Sequence, residues 1–116
     1  MSVRPRPHRG EVWLTDLGIP RGIEQGGTRP ALVISEAAIN EAPSALVTLV
    51  PITSRYRAVS GHVAVVPPSG GVNRPSWILC DQIRTVTQQR LHRRLGTLDR
   101  LTLAEVENWL RVFLGL

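Results

Sequence analysis

The chain has 116 residues, a length at which a single domain with its own hydrophobic core is expected. Apolar residues make up 42% of it, too many for a disordered chain, and no apolar run approaches the roughly 18 residues of a membrane-spanning helix. The formal net charge is +5 and all 14 basic residues are arginine, so phosphate or an acidic protein is the expected partner, because a guanidinium offers phosphate a planar fork of donors.

Residues 1–9, MSVRPRPHR, read as a basic arm with little order, and residues 10–116 as the single domain. The arm has no apolar segment of the signal-peptide kind, which makes the cytoplasm the expected location. GEVWLTDL then alternates as a strand, with Val12 and Leu14 on one face and Glu11, Trp13 and Thr15 on the other. The Gly-rich stretch Gly18 to Thr28 reads as a mobile loop, and Pro20 excludes helix from it. Pro30 to Ser35 reads as a buried strand, and Glu36 to Ala42 as loop. Ala45 to Thr53 is a third strand, in which Pro51 requires a sheet edge or a bulge because it has no N–H to donate. Arg55 to Gly61 is a polar loop, His62 to Val66 a fourth strand, and Ser69 to Pro75 a turn region. Trp77 to Val86 reads as one strand with a polar break at Asp81-Gln82, and a further short strand is expected around Leu95.

The chain closes on a helix. Thr102 as N-cap and Glu105 three residues on fit a capping box, with Leu101 and Val106 as its hydrophobic staple. Leu103, Val106, Trp109, Leu110 and Phe113 form one apolar stripe suited to core packing. Several short strands with Gly and Pro turns, followed by one helix, predict a mainly β, α+β domain: a small curled β-barrel with a helix across it.

The motifs exclude several chemistries. There is no P-loop, no GxGxxG opening a helix, no HExxH and no GxSxG, and the single Cys80 reads as a buried inert thiol without zinc-like spacing around it. Acidic residues do not cluster as Mg²⁺ ligands, so no metal and no cofactor are expected. Cleavage of RNA fits such a chain, because RNA carries its own 2′-OH nucleophile. The protein needs only to stabilise phosphoryl oxygens and manage two protons. Arg29, at the junction of the Gly-rich loop and a strand, suits the first task. Thr53 and Ser54 offer hydroxyls at a strand end, and Glu24 is the loop carboxylate. From spacing alone each has a plainer reading: a surface arginine, turn hydroxyls, a solvated acid. His8, His62 and His92 show no partner carboxylate in sequence, and Arg90, Arg93 and Arg94 form a basic patch.

Five segments in order, GEVWLTDL, GIEQGGTRPALVIS, VPITS, CDQIRTVTQQRL and RLGTL, resemble the MazF/PemK family of toxins from type II toxin–antitoxin modules. The resemblance implies an SH3-like or CcdB-like small barrel and a homodimer. It further implies a sequence-specific, metal-independent endoribonuclease that cuts single-stranded RNA to a 2′,3′-cyclic phosphate and a 5′-OH. It assigns catalysis to Arg29 and Thr53, with support from Glu24, and puts Asp81 and Gln82 near the RNA groove. Beyond it, Gln25, Thr28, Ser54 and Arg84 are expected to contact RNA, and Arg55 and Arg57, a departure from the family pattern, to add phosphate contacts. The resemblance also implies an acidic, MazE-like antitoxin laid along the same groove. Two other readings stay open: a non-enzymatic toxin of the CcdB kind acting on DNA gyrase, and an inactive member that only binds RNA or antitoxin. The first is disfavoured by the ending Phe113-Leu114-Gly115-Leu116, which lacks the terminal tryptophan of the gyrase poison.

Overall fold

A computed structural model describes residues 5–116; the first four residues of the basic arm lie outside the described part. The strands are β1 (Glu11–Asp16), β2 (Thr28–Val33), β3 (Leu46–Thr53), β4 (His62–Val65), β5 (Ser76–Leu79), β6 (Arg84–Thr87) and β7 (Leu91–Thr97). The helices are α1 (Ala37–Asn40) and α2 (Arg100–Leu114). All seven strands join one antiparallel sheet of order β4-β5-β3-β2-β1-β7, with β6 also on β3. Among the described residues no pairing joins β4 to β7, so the sheet wraps its core without closing into a full barrel.

Side-chain alternation builds a core on each face of the central strands. Val12, Leu32, Val50, Ile52, Val63 and Ile78 turn inward against Val106 and Leu110 of α2. Trp13, Ala31, Val33, Val47 and Leu49 turn the other way and pack with Leu17, Val86 and Leu91. The alternation expected for the first strand therefore holds, and both of its faces are covered. Each fully buried aliphatic side chain contributes about 1.5–3 kcal/mol, and β1, β2 and β3 carry many of them.

β3 is the hub, and Pro51 is not at a sheet edge. On one side β3 pairs with β2 through Leu49, Val50 and Pro51. On the other side its partner changes: β6 pairs as far as Leu49 and β5 starts at Ile52. Pro51 falls in that gap, where no ladder bond is lost. The same switch splits the stretch expected as one strand from Trp77 to Val86. Its polar break is a 3-10 turn, Cys80–Gln82, that sends β5 and β6 to different halves of β3.

Other local expectations are corrected. Glu36 to Ala42 is not all loop, because Ala37–Asn40 makes one helical turn. Asn40 is buried there, donating to Ser35 O at 2.8 Å. The short strand expected around Leu95 is the seven-residue β7, pinned to β1 across two register shifts. The cap of α2 is Asp99, not Thr102: Asp99 Oδ2 accepts Thr102 N–H at 3.0 Å and its hydroxyl at 2.9 Å. Leu101 is 85% exposed and forms no staple. The described part of the arm is fastened, since Arg6 donates to Asn40 O at 3.2 Å, Arg9 bonds Ile34 O and Glu107, and Pro7 is buried.

Candidate active site

The registers of β1, β2 and β3 converge on one end of the sheet. Thr15 of β1 is fully buried and sits opposite Arg29. The β2–β3 ladder ends at Ala31 and Pro51; two residues further along each strand, that register sets Arg29 opposite Thr53. Both belong to the face that carries Ala31, not the α2 face. Strands that stop pairing at this point leave room between their ends for a ligand.

Arg29 is exposed, and its Nε donates to Gly26 O at 2.9 Å. Among the described residues neither terminal nitrogen has a partner, which leaves the outer edge of the guanidinium free for a bidentate acceptor. It lines a cleft of about 430 Å³ together with Thr28, Pro30, Ser54, Arg74, Ser76 and Arg93. Arg93 belongs to the basic patch read from the sequence, whereas Arg74 was not singled out, because this loop reaches the end of the sheet only through the sheet's wrapping. Thr53 is 4% exposed, and its Oγ1 accepts Arg55 N–H at 3.1 Å. Its neighbours Ile52 and Ser54 line the cleft, whereas Thr53 itself does not.

The glycine loop between β1 and β2 carries hydrogen bonds at its base and at its tip. Its base closes through Leu17 N–H to Gly27 O at 2.9 Å and Gly27 N–H to Gly18 O at 2.8 Å. Gly26 is required by space: a Cβ there would overlap the Pro20 ring and lie 2.8 Å from Gly18 O. The tip is clasped by Gln82, whose Oε1 accepts Gln25 N–H at 2.8 Å and whose Nε2 donates to Ile23 O at 3.3 Å. Arg57 reaches Gln25 Oε1 at 3.5 Å, and Arg84 donates to Leu17 O at 3.2 Å. Gln25 is 7% exposed beneath these contacts.

The remaining candidates divide between two places. Glu24, Asp81, Gln82 and Arg84 line a second cleft, of about 240 Å³, with Ile23 and Ile83. Glu24 is exposed and does not share the Arg29 cleft. Arg55 and Arg57 stand exposed in the loop after β3. Asp81 has a partner that the sequence did not reveal: His62 Nε2 lies 2.9 Å from Asp81 Oδ1. The β4–β5 register opposes His62 to Leu79, two residues before Asp81, and so makes the pair. His62 Nδ1 is buried with no partner among the described residues.

Cys80 is fully buried, and its thiol is pushed up to about 12, first by burial and then by the Asp81 and Glu105 carboxylates. A thiol so disfavoured as thiolate is not a nucleophile. Among the described residues no group of three or more His, Cys, Asp or Glu is arranged to hold a metal ion, and no helix is long and apolar enough to cross a membrane.

Fold and site together define a small β domain that gathers a guanidinium, hydroxyls and further arginines at one cleft. The chain belongs to the family of PemK-like, MazF-like toxins of type II toxin–antitoxin systems, whose model it matches over residues 8–114. A curated relative, the endoribonuclease MazF of Staphylococcus epidermidis, is 34% identical over 109 residues, covering 93% of this chain and 91% of its own length. The crystal structure of MazF from Deinococcus radiodurans superposes with a TM-score of 0.84 at 32% identity, covering 97% of this chain and 100% of that one. An endoribonuclease in complex with its cognate antitoxin from a mycobacterial species superposes with a TM-score of 0.78 at 29% identity, covering 95% and 96% of the two chains.

Proposed function

We propose that this protein is the endoribonuclease toxin of a type II toxin–antitoxin module and that it cuts single-stranded RNA through the RNA's own 2′-OH. The observation that carries the mechanism is the free outer edge of Arg29 over a cleft, with Thr53 opposite it in register. The 2′-oxygen forms a bond to phosphorus, the bond from phosphorus to the 5′-oxygen breaks, and a 2′,3′-cyclic phosphate and a 5′-OH result. Charge gathers on the non-bridging oxygens as this happens. Arg29 takes that charge with two donors fixed in place, so little reorganisation is needed during the reaction. It also stands as the donor to the departing 5′-oxygen. The Thr53 hydroxyl, held by Arg55 N–H, keeps its own proton for a phosphoryl oxygen. The 2′-OH proton passes to solvent water, and Glu24, exposed on the loop outside the Arg29 cleft, is assigned a supporting role.

Thr28 and Ser54 beside Arg29, Arg55 and Arg57 in the loop after β3, and Gln25, Asp81, Gln82 and Arg84 at or near the second cleft are assigned to RNA contact. The reading is of a homodimer acting in the cytoplasm without metal or cofactor. Its +5 charge serves both RNA and an acidic antitoxin segment that blocks the groove. A toxin of the CcdB kind would leave RNA intact and stop gyrase supercoiling. Purified protein incubated with a long RNA in excess EDTA separates these outcomes, and the reading requires cleavage that persists in the chelator.

A further inference from the structure

Three residues beyond Thr53 stands Tyr56, the chain's single tyrosine, and it is 65% exposed. The ring is not loose. Its centroid lies 5.2 Å from that of Trp77, with the planes inclined at 49°. Trp77 is half-buried and sits in β5 between Thr53 on one side and Ala64 on the other. Tyr56 is therefore docked on the immediate cross-strand neighbour of Thr53, while much of its surface stays open to solvent. An aromatic ring left in water at a site, and fixed there by a second ring, is surface ready for another flat apolar face.

The flanking residues say which face it fits. Arg55 gives its backbone N–H to Thr53 Oγ1, and Arg57 reaches Gln25 in the clasped loop at 3.5 Å. The run Arg55-Tyr56-Arg57 thus alternates cation, ring and cation beside the reacting centre. That order suits a single strand, whose phosphates repeat with a base between them. An apolar protein partner would gain from the ring but not from the two charges beside it.

We infer that Tyr56 is a base-stacking platform, on which a nucleobase next to the scissile phosphate lies while Arg55 and Arg57 face the adjoining phosphates. The inference rests on the ribonuclease reading above and deepens it. Every base has a π-face, so the platform supplies affinity and alignment and does not select one base over another. A nucleotide held at its base has its 2′-OH carried into line with phosphorus, and part of the entropy of alignment is lost at binding instead of in the reaction.

The test uses an oligonucleotide spanning a mapped cut site, made uncleavable by a 2′-O-methyl group at the cut nucleotide. Binding is measured for the wild type, Tyr56→Ala, Tyr56→Leu and Tyr56→Phe. The first two variants should bind roughly 5- to 100-fold more weakly and Tyr56→Phe nearly as the wild type does, the size expected for one base stacked on a ring. Tyr56→Leu keeps an apolar contact to Trp77, so it also reports a loss of stacking separately from a loss of folding. Abasic sites are then placed one at a time around the cut. One position should cost the wild type the same factor, and that penalty should vanish in Tyr56→Ala.

Equal binding by all four proteins overturns the inference while cleavage by the wild type leaves the ribonuclease reading standing. So does an abasic penalty that persists undiminished in Tyr56→Ala, or a variant that loses only an acidic antitoxin segment and keeps RNA. A wild type that neither cuts nor binds RNA overturns both.

Discussion

Arg29 is useful because so little holds it. One hydrogen bond, Nε to Gly26 O at 2.9 Å, orients the plane of the guanidinium and leaves its outer nitrogens free. Replacing it with alanine removes no core contact, so the melting temperature should stay within a few degrees while the cleavage rate falls about 100-fold or more. Gly26→Ala tests the same geometry from outside the chemistry. The new methyl overlaps the Pro20 ring, displaces the carbonyl that orients Arg29, and should lower kcat although every reacting group remains. Thr53→Val keeps the shape of a residue that is 4% exposed and deletes the hydroxyl. The expected result is a large fall in kcat with a stability loss of about 1 kcal/mol, measured by denaturant unfolding, from the lost bond to Arg55 N–H. These residues were legible in the sequence as short motifs, an arginine before Pro30 and a hydroxyl after a strand. Their partners were not. Gln25 and Gln82 are 57 positions apart, and His62 and Asp81 are 19 apart; only the wrapping of the sheet joins them.

At the scale of elements, the loop between β1 and β2 depends on the turn between β5 and β6. Gln82 satisfies one backbone donor and one backbone acceptor of the loop, at Gln25 and Ile23. Gln82→Leu should leave the sheet intact, raise KM for RNA, and increase amide exchange from Ile23 to Gly27, a readout that hydrogen-exchange mass spectrometry gives directly. The helix offers a separate test. Hydrogen bonds from Ser69 and then Thr102 hold the Asp99 carboxyl below its ordinary range. A depressed carboxylate stabilises the fold above its unfolded pKa, and the gain is lost as pH falls through the folded value. Asp99→Ala should cost about 1 kcal/mol near pH 7, and the gap between variant and wild type should close under acid. Strand and helix positions were readable from alternation and from the apolar stripe of α2. The cap was misassigned because Thr102 also satisfies a capping pattern, and Asp99 prevails through its second bond network to Ser69, 30 residues away. Pro51 misled for a related reason: a proline can sit mid-sheet where its strand changes partners.

For the whole molecule, charge and fold act together. A net charge of +5 on 116 residues, with arginine as the only basic residue besides histidine, suits the proposed RNA substrate and an acidic competitor alike. Affinity for uncleavable RNA should fall steeply and linearly with the logarithm of salt concentration, and an acidic antitoxin segment should compete with that RNA for one site. The proposed chemistry at Arg29 leaves its signature in the ends of the cut RNA. RNA cleaved by the purified wild type in excess EDTA should carry 5′-OH and 2′,3′-cyclic phosphate ends, and Arg29→Ala should produce almost none. Ends bearing a 5′-phosphate, or undiminished cutting by Arg29→Ala, would contradict the account.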